Sequence, residues 1–205
     1  MVNNSKKIKA NFVKYKFKFN NDVNRVSYLY QKVFRSIYGY TQNVTKSDKK
    51  VYIYYRKGVV SDIPYIKQNK NTIILPKGYE NKLIEYFETG KNPAHDWKIK
   101  GDWGIEYSID EVEVDCNSVI KSLEDHIQSL QIIDSKNNYA KLVSEINNLL
   151  DNNSLDNNNQ DYINYINDTI QGIINNEWFK ETYTNSEILN GFYNNYQKFK
   201  QKYNL

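Results

Sequence analysis

From Val13 the chain alternates strictly, with Val13, Tyr15, Phe17 and Phe19 apolar and Lys14, Lys16 and Lys18 between them. A period of two with one apolar face predicts a half-buried strand over 9–19. Asn20, Asn21 and Asp22 then offer side-chain oxygens to start a helix. Val23, Val26, Tyr30, Val33 and Ile37 follow the 3-4-3-4 spacing of one helix face, with Leu29 and Phe34 beside them and Gly39 as the stop. Two strands, 38–44 and 50–56, are expected next, joined by a hairpin loop at 45–49. Pro64 lies in a loop rich in Lys and Asn, Thr72–Leu75 is a short apolar strand stopped by Pro76, and a helix over about 78–88 carries Leu83, Ile84, Tyr86 and Phe87. Gly90 and Pro93 end that helix, and 97–114 reads as strand broken at Gly101 and Gly104.

This order of elements predicts a ferredoxin-like, split βαβ domain with an added strand. The segment Lys50–Tyr55 has the aromatics of an RNA-recognition strand but lacks its glycine and phenylalanine pattern.

From Asn117 the period becomes helical. Val119, Ile120, Leu123, Ile127 and Leu130 make one stripe; Tyr139, Leu142, Val143, Ile146 and Leu150 a second; Ile163, Ile166, Ile170, Ile173 and Ile174 a third. A fourth helix is expected to open on the capping box Thr184-Asn185-Ser186-Glu187 and to run through Tyr203. Asn152–Asn159 is a low-complexity loop. The expected class is therefore α+β: a basic α/β domain over 1–112, then an acidic four-helix bundle over 113–205.

Charge sharpens this division. The net charge of +4 conceals 21 Lys and Arg against 7 Asp and Glu in residues 1–100, a net of +14, and 7 against 17 in residues 101–205, a net of −10. All three arginines, Arg25, Arg35 and Arg56, lie in the basic half. A split of this kind points to different partners for the two halves. The single cysteine, Cys116, rules out a disulfide within one chain, and no apolar run is long enough for a membrane helix. A cytoplasmic protein with no membrane partner is expected.

Three features of the basic half suit a nucleic acid. Arg25, Tyr28, Lys32 and Arg35 fall within a helical arc of about 80°, opposite the apolar stripe. On the strand over 50–56, Tyr52, Tyr54 and Arg56 share one face, and if Val51, Ile53 and Tyr55 are buried, that face is open for stacking and phosphate contact. Lys46, Lys49 and Lys50 at the hairpin tip, and Lys67 and Lys70 in the following loop, supply unpaired charge for sequence-independent phosphate contacts. With three arginines, dense base-edge reading is not expected, so backbone or shape readout is, with DNA favoured over RNA.

Catalytic signatures are scarce. One Cys and two distant His make no zinc site, and there is no phosphate-cradling glycine loop or nucleophile elbow. No metal, cofactor or catalytic residue is expected. Asp110–Asp115 would place Glu111, Glu113 and Asp115 on one strand face, with Lys98 and Lys100 nearest, which is the only arrangement resembling a metal-dependent nuclease. The expected function is a non-catalytic nucleic-acid-binding protein, contacting nucleic acid through 1–110 and a protein or its own copy through 116–205. The alternative is an accessory or assembly subunit whose basic half meets an acidic protein.

Overall fold

Alternation makes Lys7–Phe19 a strand of thirteen residues, β1, but its buried parity changes along its length: Ile8 and Ala10 are buried, then Val13, Tyr15 and Phe17. The switch coincides with a division of the chain into two compact units, residues 11–112 and residues 1–10 with 113–205. The structure is a computed structural model and describes residues 6–19, 27–47, 49–93, 103–136, 138–151 and 160–205.

In the unit 11–112, β1 is followed by helix α1 (Tyr28–Tyr38). The cap of this helix is Ser27, which is extended and whose Oγ accepts from Tyr30 N at 3.3 Å. The expected positions Asn20, Asn21, Asp22, Val23, Arg25 and Val26 lie outside the described residues. Strands β2 (Tyr40–Thr45) and β3 (Val51–Arg56) pair antiparallel as a two-stranded sheet of their own. Next come β4 (Ile66–Asn69), β5 (Thr72–Leu75), helix α2 (Glu80–Thr89) and β6 (Trp103–Asp115). The strand expected from residue 97 is described from Trp103, and residues 94–102 lie outside the described set.

The main sheet has the order β4-β5-β1-β6. β5 runs antiparallel to both β1 and β4. Lys6 O accepts from Cys116 N, and Lys18 pairs with Glu106, so β6 runs antiparallel to β1 as well. Lys67 to Asn71, expected as a loop, is mostly strand: Ile66 and Lys67 pair with Ile74 and Ile73, and only Lys70 and Asn71 turn. An edge position lets so polar a sequence serve as a strand.

One face of this sheet carries the core. Val13, Tyr15, Phe17, Ile73 and Leu75 pack with Val33 and Ile37 of α1 and with Leu83, Tyr86 and Phe87 of α2. The aromatic rings interlock, Phe17 lying edge-on to Phe34 at 5.5 Å and to Trp103 at 5.1 Å. The Tyr86 hydroxyl donates to Val33 O at 3.1 Å, and Tyr15 and Tyr38 share a hydroxyl bond of 2.8 Å.

The other unit is mainly helical: α3 (Cys116–Ser129), strands β7 (Gln131–Ile133) and β8 (Tyr139–Lys141), α4 (Leu142–Asp151), α5 (Gln160–Ile174), α6 (Glu177–Thr182), a 3-10 turn (Tyr183–Asn185) and α7 (Glu187–Tyr203). Three expectations are corrected. Tyr139 opens a strand paired with Ile133 rather than a helix. Asp134 holds the turn between those strands, its Oδ1 accepting from Lys136 N and Asn138 N. A fifth helix, α6, is capped by Asn176 and places Trp178 wholly inside. The start of α7 is Ser186, whose Oγ accepts from Leu189 N at 3.2 Å and bonds Glu124 Oε1 at 2.5 Å; Thr184 is in the 3-10 turn. Residues 6–10 belong to this unit: Trp178 Nε1 donates to Lys9 O, and Lys6 pairs with Glu181.

Counted by these units, the charge contrast softens. Residues 11–112 carry 18 Lys and Arg against 11 Asp and Glu, a net of +7. The other unit carries 10 against 13, a net of −3.

Candidate nucleic-acid interface

Pairing in the β2–β3 hairpin fixes which side chains share a face. Tyr40 opposes Arg56, Gln42 opposes Tyr54 and Val44 opposes Tyr52, so these six lie together. Thr41, Asn43 and Thr45 share the other face with Tyr55, Ile53 and Val51. Val51 and Ile53 are 60% and 66% exposed, whereas Tyr52, Tyr54 and Arg56 are half-buried. This reverses the condition placed on the strand: the aliphatic face is the open one. The reason is that the hairpin does not join the main sheet, so no core lies beneath Val51 and Ile53.

The root of the hairpin is set by two glycines. Gly39 ends α1 with φ of +74°, a conformation that favours glycine. A Cβ on Gly58 would lie 2.5 Å from Ile37 O and closer still to Gly39 N, so the two backbones meet there with no room for a side chain. The chain leaving the hairpin then caps α1: Val59 N and Val60 N donate to Ser36 O and Ile37 O at 2.9 and 3.0 Å. Ser61 Oγ bridges Gly58 N and Tyr38 O.

On this frame the cations settle over aromatic rings. Lys32 lies 5.8 Å from the Tyr28 ring centre, Arg35 5.1 Å from Tyr40, Lys46 4.3 Å from Tyr52 and Arg56 5.5 Å from Tyr54. Lys67 lies 4.1 Å from Tyr38, and Lys70 sits over Tyr30 at 4.3 Å and Phe34 at 5.3 Å. Such pairs occur about once per 70–80 residues, so six cations so placed within residues 28–70 form a local concentration. Lys67 and Lys70 are thus seated cations rather than loose loop charges. Among the described residues no carboxylate forms an ion pair with Arg35, Lys46, Arg56, Lys67 or Lys70. Arg56 Nε is buried and has no hydrogen-bond acceptor among them.

The remaining expected site residues divide. Tyr28, Lys32 and Arg35 do share one face of α1, Tyr28 being 68% exposed, and Arg25 lies outside the described residues. Lys46 N donates to Lys50 O at the hairpin tip, where Lys49 adopts a left-handed φ of 62°. Tyr30, Phe34, Tyr38 and Tyr40, the rings under Lys70, Lys67 and Arg35, were not among the expected site residues. The i, i+4, i+8 spacing of the first three on α1 was the available signal.

The cations of the main sheet behave differently. Lys14, Lys16 and Lys18 are exposed on the face away from the helices, but Lys18 bonds Glu106 and, with Lys16 nearby, holds that carboxyl below its usual range. Lys77 pairs with Glu111, and Asp115 accepts from Asn117 N and Ser118 N as the cap of α3. Glu111 and Asp115 therefore have separate structural tasks, and among the described residues no group of three acidic, His or Cys side chains is arranged to hold a metal. No helix among the described residues is long and apolar enough to cross a membrane. No family model, no curated protein and no solved structure matches the chain.

Proposed function

We propose that this protein is a non-catalytic nucleic-acid-binding protein whose β2–β3 hairpin and α1 contact the backbone, with DNA favoured over RNA. The observation that carries this reading is that Arg35, Lys46, Arg56, Lys67 and Lys70 are seated on rings and, among the described residues, not on carboxylates. An ion pair cancels charge within the protein; a ring under a cation leaves its full charge for a ligand. The same reading takes residues 11–112 as a split βαβ domain with the hairpin inserted after α1. The sheet order β4-β5-β1-β6 and the two helices on one face support it. The helical unit, with a net charge of −3 and exposed Ile133 and Ile188, is assigned to protein contacts.

Fluorescence anisotropy of the full chain with duplex DNA, single-stranded DNA and RNA at two salt concentrations tests the proposal. Binding that weakens steeply with salt is expected. Absence of binding to all three at low salt would overturn it.

A further inference from the structure

We infer that the nucleic acid held by this surface is a duplex gripped through its phosphates, and that the tyrosines seat cations rather than stack bases. This rests on the proposed nucleic-acid reading and narrows it.

The inference comes from which side of each ring is occupied. Tyr30, Tyr38, Tyr40 and Tyr52 are half-buried, while Lys70, Lys67, Arg35 and Lys46 are exposed. In these four pairs the cation is the more exposed partner and lies over the ring, whereas in the Tyr28–Lys32 pair the ring is the exposed one. A base could stack there only by displacing a cation, whereas single-strand binders present open aromatic faces. A phosphate needs no displacement. The ammonium or guanidinium keeps N–H groups pointing outward, and the ring limits the side-chain freedom that a contact would otherwise have to remove. The scaffold also suits a groove: a two-stranded ribbon of six residues per strand is about 20 Å long and fits the roughly 12 Å major groove of B-DNA.

The test compares one sequence as duplex, as single strand and as a single strand with abasic residues, all with the full chain. Duplex is expected to bind at least about tenfold more tightly than the single strand, and abasic replacement to leave single-strand affinity within about twofold. Tyr52→Phe keeps the ring and should leave the salt slope unchanged. Tyr52→Leu and Lys46→Met should each weaken duplex binding about 2- to 5-fold, and the double variant no more than Lys46→Met alone. Lys46→Met should also reduce the salt slope by about 0.9. Circular dichroism of each variant confirms that it is folded.

A single strand that outbinds the duplex and loses more than tenfold on abasic replacement would overturn the inference while leaving nucleic-acid binding in place. Binding to phosphatidylserine vesicles without binding to any of the nucleic acids would overturn both readings. So would failure to bind any of the nucleic acids.

Discussion

Lys49 occupies the left-handed region with φ of 62° at the tip of the hairpin, where an L-residue with a Cβ is strained. Lys49→Gly should raise stability by about 0.5–1 kcal/mol, read as a higher urea midpoint at unchanged slope. The same change removes a tip charge, so if the hairpin carries the proposed ligand, affinity should weaken while the fold is stabilised. At this scale the sequence was partly legible. The basic residues were visible as a group, but their seats were not. Arg35 over Tyr40 joins residues of a helix and a strand, and Lys67 over Tyr38 spans two elements distant in sequence. A pattern search along one element does not see such pairs. The face of Tyr52, Tyr54 and Arg56 was correctly grouped by alternation, yet its exposure depended on what the hairpin packs against.

The hairpin depends on its root more than on its pairing. Gly58→Ala forces a Cβ into the backbone of Ile37 and Gly39, neither of which can swing aside as a side-chain tip would. The expected cost is about 1–3 kcal/mol in urea unfolding, with loss of the bonds from Val59 and Val60 to the end of α1. If the hairpin carries the ligand, affinity should fall as well, although no contact residue is altered. Long amphipathic helices were legible, α3, α5 and α7 lying on their predicted stripes, and the short apolar strand β5 was marked at Thr72–Leu75 by the Pro76 that stops it. The three-residue strands β7 and β8 and the six-residue α6 were not legible, each spanning fewer than two full periods of the pattern that would reveal it. The apparent capping box failed for a related reason. Ser186 is equally able to cap, and its bond to Glu124 on α3, remote in sequence, decides between the candidates.

Across the whole molecule, buried tyrosines make stability fall at alkaline pH. Burial pushes Tyr38 up to about 12, against a smaller lowering by its bond to Tyr15. Burial raises Tyr15, Tyr86 and Tyr162 in the same direction. A phenol whose folded pKa lies above its unfolded value of about 10 contributes its full stability below pH 10. That contribution declines as pH rises toward 12, because the unfolded chain releases the proton first. Urea midpoints by circular dichroism should therefore be flat in this respect below pH 10 and drop between pH 10 and 12. Tyr38→Phe should reduce the drop. The charge contrast was the feature most altered at this scale: halving the chain by number exaggerated it, because Lys6, Lys7 and Lys9 belong to the helical unit and Asp102, Glu106, Asp110 and Glu111 to the basic one.

The assignment of residues 1–10 to the helical unit bears on synthesis. Lys9 and Trp178, joined by a hydrogen bond, are 169 residues apart. At about 5–20 residues per second, a ribosome needs roughly 8–34 s to deliver the second after the first. Residues 11–112 can complete their own core within that interval, while Ile8 and Ala10 wait for theirs. During the wait, the start of β1 is a nascent strand end open to mispairing. Lys6, Lys7 and Lys9, interleaved with its apolar positions, set like charges against any neighbouring copy on the same polysome.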